Sequence, residues 1–244
     1  MQRIILSLVI GTAVTFFTTT PTVHGAPPPV PWQITINGHD RGVMFLTFLT
    51  GTPPTNPATG YGISLDALGP FTLTGTWDLD ANDDITCGFV QQIDGGSFSG
   101  NFVAKIRGNG GLFAHATTTH GPQKFKAPAP GPVVDLSGSW VGEVKSDHKK
   151  ALTAFLLTPS TNNMPGWFDL NGTGIGDSGS FDLAGALLVT TDHNAAGYTV
   201  SMYSLTTSQA AFVGRLTRKG NKLRLSGRDE NGKSVVFHAE KPNL

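Results

Sequence analysis

The chain of 244 residues balances 17 Lys and Arg against 17 Asp and Glu, and only 14% of it is charged, so nothing in its charge calls for a nucleic-acid partner. Its 31 Gly and 16 Pro favour turns over helices. One cysteine, Cys87, excludes an intramolecular disulfide and leaves stability to a packed core; it reads as a small buried side chain of an apolar strand.

Met1-Gln2-Arg3 carries one positive charge and leads into the apolar stretch from Ile4 to Phe17, which a Thr-rich segment interrupts. That order is the architecture of a signal peptide over 1–25, with Val23 and Gly25 suited to the positions before a cut and Ala26 as the new N-terminus. Export to a periplasm or to the cell exterior is the expectation. The apolar run is short for a membrane span, so no retained anchor is expected. No Cys near the cut offers lipid attachment.

Beyond the Pro-rich 26–31, short runs alternate apolar with polar residues, and each closes on a cluster of Gly, Asn, Asp or Pro. The pattern predicts strands over 32–37, 43–50, 61–66, 71–78, 85–93, 98–107, 111–118 and 124–127. Between Lys126 and Pro132 three prolines and a glycine favour an extended, polyproline-like connection. Strands then resume over 140–144, 151–158, 166–170, 179–190, 198–206, 211–217, 222–227 and 234–240. No window sustains a 3.6-residue apolar period.

The second set follows the first in order. Trp140 matches Trp32, LTAFLLT at 152–158 matches MFLTFLT at 44–50, FDLAG at 181–185 matches FTLTG at 71–75, and FVGRL at 212–216 matches FVAKI at 102–106. Gly108-Asn109 and Gly220-Asn221 follow the last pair. This reads as an internal duplication, with a first unit over 26–125, a linker over 126–135 and a second unit over 136–244. The expected fold is all-β: two tandem antiparallel, up-and-down β-barrel-like units, closed because closure removes exposed strand edges. The turns at 219–222 and 230–233 are short-hairpin signals, since Asn and Gly accept positive φ readily. One composite barrel is the alternative; the Pro-rich linker argues for two separate bodies.

At Leu136-Ser137-Gly138-Ser139-Trp140 the second unit resembles the start of the calycin group, the lipocalin and avidin-type barrels, whose first strand carries a Gly-x-Trp. The resemblance implies a Trp packed under the barrel floor against a basic residue from a late strand, a role for Arg224 or Arg228. The first unit departs from it, because no Gly lies two residues before Trp32 and Gly75-Thr76-Trp77 falls in the fourth predicted strand. A shared fold carries no ligand with it.

Asp78, Asp80, Asn82 and Asp84 place oxygen-bearing side chains at alternate positions, with Ile85 eighth, as in a calcium loop. The glycine expected sixth is Asp83 and the glutamate expected twelfth is Phe89, so calcium competes with a plain solvated hairpin loop. In the second unit, the matching Asp192-His193-Asn194 has lost most of the carboxylates. His39-Asp40 and Asp147-His148 recur at the same hairpin and read as turn residues, since neighbours in a strand point to opposite faces. His115 and His120 have no zinc-ligand spacing.

No nucleophile elbow, phosphate loop or cysteine–histidine motif is present, which leans the reading away from an enzyme and assigns no catalytic residue. Asn171-Gly172-Thr173 is a glycosylation sequon. The C-terminal stretch holding Arg215, Arg218, Lys219, Lys222, Arg224, Arg228, Lys233 and Lys241 is locally basic; it reads as protected strand edges, with an anionic partner as the second reading.

Tyr61 and Trp167 each follow a Gly after a long loop and open the third strand of their unit. Flat rings at loop mouths stack on sugars or cap apolar pockets, which makes these two the candidate ligand-binding residues. The functional expectation is a secreted, non-enzymatic binding protein for a small apolar ligand or glycan, using barrel interiors or loop mouths. The alternatives are a barrel-type isomerase or cyclase enclosing an apolar substrate, and a surface structural or inhibitor module. The oligomeric state is left open by the sequence.

Overall fold

The computed structural model describes residues 27, 30–51, 56–93, 96–146, 149–162, 164–191, 197–205 and 209–242. The expected signal segment, Asp147-His148 and Asp192-His193-Asn194 lie outside the described residues. The first eight strands are β1 (Trp32–Gly38), β2 (Gly42–Phe48), β3 (Asn56–Ser64), β4 (Gly69–Leu79), β5 (Ile85–Ile93), β6 (Gly96–Ile106), β7 (Leu112–Thr118) and β8 (Gly121–Ala127). The second eight are β9 (Gly138–Ser146), β10 (Lys149–Pro159), β11 (Trp167–Gly176), β12 (Gly179–Thr191), β13 (Tyr198–Leu205), β14 (Gln209–Leu216), β15 (Lys222–Asp229) and β16 (Ser234–Glu240).

Each set closes on itself, β1 to β8 in one barrel and β9 to β16 in the other, with consecutive strands antiparallel. Closure is made by Ile36 opposite Phe125 in the first barrel and by Phe237 opposite Val144 in the second. The composite barrel is thereby excluded. Period-two alternation sets the faces: along β4, Phe71, Leu73 and Trp77 point inward while Thr72, Thr74 and Thr76 face solvent. At the hairpin turns Gly220 and Gly232 adopt φ of 70° and 74°, a region that glycine enters without steric cost.

Both interiors are filled by aromatic and branched side chains. In the first barrel Phe48, Phe89, Phe102 and Phe125 meet at ring separations between 5.7 and 6.4 Å. In the second, Phe237 lies 5.6 Å from Phe155 and 6.0 Å from Phe212. An eight-stranded barrel has room for such a filling or for one small ligand, and here the side chains take the space. Apolar inside and polar outside is the reverse of a barrel that spans a bilayer. Among the described residues no helix is long and apolar enough to cross a membrane.

Two strands run furthest past their predicted bounds. β11 continues to Gly176 through Gly172 and Gly174, beyond the predicted end at Leu170. A Cβ on Gly174 would fall 2.1 Å from the Phe181 ring opposite, so the ring occupies the room a side chain would take and keeps the strand paired. Gly62 and Phe71 make the same pair in the first barrel, with 2.3 Å between the built Cβ and the ring. This repeated Gly–Phe device supports the duplication more directly than the alternation does. β3 likewise begins early, at Asn56, because the carbonyl of Pro57 accepts the Leu49 N–H.

The match between 44–50 and 152–158 is displaced by one residue. Trp32 pairs with Leu46 and Trp140 with Phe155, so Leu46 and Phe155 are the equivalent positions. A one-residue slip exchanges the faces of a strand. Met44, Leu46 and Phe48 point inward in β2, and Thr153, Phe155 and Leu157 do so in β10.

Val43 and Phe45 of β2 are buried as well, but outside their barrel. With Ile63 they pack against Ala186 and Leu188 of β12, forming an apolar junction between the barrels that Tyr61, Val133, Trp167 and Tyr203 flank. Polar contacts fix it. Gln33 donates through Nε2 to the Gly131 carbonyl at 2.7 Å and accepts at Oε1 from the Thr191 N–H at 2.9 Å, while Gln209 Nε2 donates to the Leu68 carbonyl at 2.7 Å. The Pro-rich connection is thus a packed strap, and the expectation of separate bodies holds for barrel closure but not for packing.

Candidate functional site

The two rings that the sequence places at separate loop mouths meet at the junction. Tyr61 and Trp167 lie edge to face at 6.3 Å, and Tyr61 stacks parallel on Phe45 at 5.4 Å. The Tyr61 hydroxyl donates to the Pro165 carbonyl at 2.8 Å. Burial pushes the phenol pKa well above its ordinary value. Gly166, with φ of 74°, is what admits this approach, because a Cβ there would sit 2.7 Å from the Phe45 ring.

Trp167 also faces a cleft of about 490 Å³ at the end of the second barrel. Val133, Val134 and Asp135 of the strap form one side of it, and Pro159, Ser160, Met164, Pro165 and Phe168 line the rest. The indole Nε1–H donates to Asp169 Oδ1 at 3.2 Å, which fixes the plane of the ring. The cleft therefore offers a positioned aromatic side among aliphatic groups, with the polar side chains of Asp135 and Ser160 in the same lining. The strap and Met164 carry no sequence signal for this role, since only docking brings 133–134 to the mouth of β11.

The expected calcium loop has another internal order. Asp80 Oδ1 accepts the N–H of Asn82 at 2.7 Å and of Asp84 at 3.0 Å, which holds its pKa below the usual carboxylate range. Asp84 pairs with Lys105 at 2.8 Å, and Asp78 Oδ1 accepts the Leu79 N–H. Asp83 takes φ of 59° where the family of calcium loops has glycine. Among the described residues no three His, Cys, Asp or Glu side chains converge as metal ligands.

Among the described residues the histidines do not converge either. His39 lies 3.7 Å from Asp66, His120 stacks on Phe98 at 4.7 Å, and His115 meets Phe113 edge to face at 4.8 Å. Asp40, expected as an ordinary turn residue, is 2% exposed. Its Oδ1 accepts the N–H groups of Arg41 at 2.6 Å and Asp66 at 3.0 Å, tying two turns together. Burial, with the nearby Asp66 charge, nevertheless raises its pKa to about 6. Cys87 is buried, and desolvation pushes its thiol up to about 12, as suits an inert core residue. Asn171 of the sequon is exposed in mid-strand, opposite Leu156.

The basic partner of the buried Trp140 is Lys241, not Arg224 or Arg228, both of which point to solvent. Lys241 Nζ stands 5.4 Å from the centre of the Trp140 ring and donates to the Ser137 carbonyl at 3.0 Å. The Trp140 indole N–H donates to the Leu136 carbonyl at 3.0 Å.

No protein-family profile matches the sequence, and no curated protein matches it. Among solved structures the chain is similar to a crystal structure described as a "putative outer membrane protein" from Bacteroides fragilis, which it matches over 88% of its own length and 96% of that chain. The identity is 8% and the TM-score 0.30, too distant a likeness to carry a functional argument.

Proposed function

We propose that this is an exported, non-enzymatic binding module that holds a small apolar ligand, or the apolar face of a sugar, in the cleft beside Trp167. One observation carries the reading: a partly buried indole, oriented by Asp169, is the aromatic side of a cleft whose other walls are apolar groups such as Val133, Met164 and Pro165, with Asp135 and Ser160 as its polar side chains. The filled barrels favour this surface cleft over an interior site. A calycin-like reading of the second barrel draws support from Trp140 under Lys241, but its ligand would lie outside the barrel. Export rests on the sequence of segment 1–25.

Native mass spectrometry of the protein from its exporting host, compared under gentle and denaturing conditions, tests the reading. A small-molecule mass lost on denaturation, and absent from a Trp167→Phe variant of unchanged melting temperature, is the expected result. Indole fluorescence supplies a second readout, because Trp32, Trp77 and Trp140 are 1%, 4% and 1% exposed and leave Trp167 as the solvent-sensitive ring. An extracted ligand that binds without changing that fluorescence, and equally well to the variant, overturns the assignment.

A further inference from the structure

A second cleft, of about 310 Å³, opens between the barrels and has a different character. His39, Arg41 and Asp66 line it from the first barrel, and Ser226, Arg228 and Ser234 from the second. We propose that this cleft binds a small oxyanion, a phosphate, sulfate or carboxylate group, gripped between Arg41 on one barrel and Arg228 on the other.

Both walls are held in place. The Arg41 N–H donates to Asp40 and its carbonyl accepts the Leu65 N–H at 2.9 Å, so the turn that carries the guanidinium is fixed at both backbone atoms. Arg228 and Ser234 are cross-strand partners on β15 and β16, and Ser226 lies two residues earlier on the same outward face. The bond from Gln209 to the Leu68 carbonyl joins the barrels beside the Leu65–Asp66 turn. The Glu230 N–H donates to the Gln209 carbonyl at 2.9 Å, which ties the β15–β16 turn to the same residue. The two arginines thus face one space through docking, although they lie far apart in sequence.

Their charges are uncommitted. Among the described residues neither guanidinium makes an ion pair or hydrogen bond with another residue. The one carboxylate in the lining, Asp66, lies against His39. Two positive groups therefore face one negative group in the lining, with Asp40, ionised above about pH 6, buried behind the Arg41 turn. A planar guanidinium presents paired N–H donors that match the oxygens of a carboxylate, phosphate or sulfate, and two serine hydroxyls add donors that no side chain here uses. Walls on both sides exclude part of the solvent and concentrate the field. The volume is at the small end of ligand clefts, about 300–1,000 Å³, which suits a free ion or a single sugar bearing the anion. None of these residues lines the Trp167 cleft, so the two sites succeed or fail separately.

The test is calorimetric titration of the whole exported chain with sodium sulfate at constant ionic strength, balanced with chloride because sulfate also stabilises proteins non-specifically. Glucose 6-phosphate and glucuronate are titrated alongside. Saturable binding is expected, weakened about tenfold or more by Arg41→Gln and by Arg228→Gln, since each removes charge-assisted bonds. Arg224→Gln, on the same strand but outside the cleft, leaves it unchanged. All three side chains are exposed, so the variants keep the wild-type melting temperature. A sugar-borne anion that binds more tightly than sulfate assigns the carrier, and equal affinities assign the free ion. No saturable binding by any of the three probes, or equal affinity in both cleft variants and wild type, overturns the proposal.

Discussion

Replacing Asp40 with Asn tests the balance between burial and hydrogen bonding at the β1–β2 turn. The folded pKa of about 6 stands about 2 units above the ordinary 3.8. At 1.36 kcal/mol per unit, holding the ionised carboxylate costs about 3 kcal/mol. The sign follows from proton binding. Between about pH 4 and pH 6 the folded chain holds a proton that the unfolded chain has released, so stability falls as pH rises through that window and stays lowered above it. Asparagine removes the charge but keeps the Oδ1 acceptor used by the N–H groups of Arg41 and Asp66. The Ser64 hydroxyl, which also bonds the carboxylate, can turn to accept from the new amide. Asp40→Asn should therefore stabilise the protein at pH 7.5 by up to about 3 kcal/mol, and by little near pH 4. Thermal unfolding of both proteins at pH 4, 5, 6 and 7.5 reads this as a difference in melting temperature that grows with pH. A difference that is the same at every pH, or an Asn variant that is less stable at pH 7.5, would refute the reasoning.

Gln33→Ala removes the acceptor of the Thr191 N–H and the donor to Gly131, and an unpaired buried group costs about 1–3 kcal/mol. A clear fall in melting temperature is expected, and an unchanged one would mean that the apolar junction alone fixes the docking. Lys241→Met removes the cation above Trp140 and its bond to Ser137, for a loss of about 1 kcal/mol or more, whereas Arg224→Met changes nothing measurable; equal effects of the two in thermal unfolding would count against the Trp140 assignment. Calcium in excess, or a chelator, should leave the melting temperature unchanged, because Asp80 and Asp84 are already partnered by backbone N–H groups and Lys105. A calcium-dependent rise would restore Asp78, Asp80, Asn82 and Asp84 as a metal site.

The strands were legible because each barrel is built from one local rule, apolar in and polar out, punctuated by turn residues. Ile85–Ile93 and Ser234–Glu240 have the predicted bounds. The end of β11 was not legible for the opposite reason: Gly172 and Gly174 interrupt the apolar alternation, and their place in the strand shows only once Phe155 and Phe181 from neighbouring strands are set against them. Asp40 carries no mark in the sequence that separates it from the exposed His39 beside it, since its burial depends on the Asp66 turn reaching it from another hairpin. The sequence singles out Tyr61 and Trp167 as rings that open the third strand of each unit; Trp167 does so, but Tyr61 lies inside β3, and loop mouths of separate units give no hint that the two rings meet.

Docking itself left one trace. In β2 the run from Val43 to Leu46 is apolar on both faces, which a strand with a solvated face would not need, and both faces are buried. Its counterpart β10 is different: Leu152 and Leu156 point outward there and remain 68% and 45% exposed, so the same strand of the duplicate faces no partner. The duplication therefore repeats what points inward, the Trp32 and Trp140 pair, the Gly–Phe pairs, and Phe102 with Phe212. What points outward differs between the units. Arg41, Trp167 and Arg228 all belong to the outward set, and the other barrel or the strap supplies part of the surroundings of each. A function carried by such residues is invisible to any comparison of one unit with the other. It becomes readable only once the relative placement of the two barrels is known.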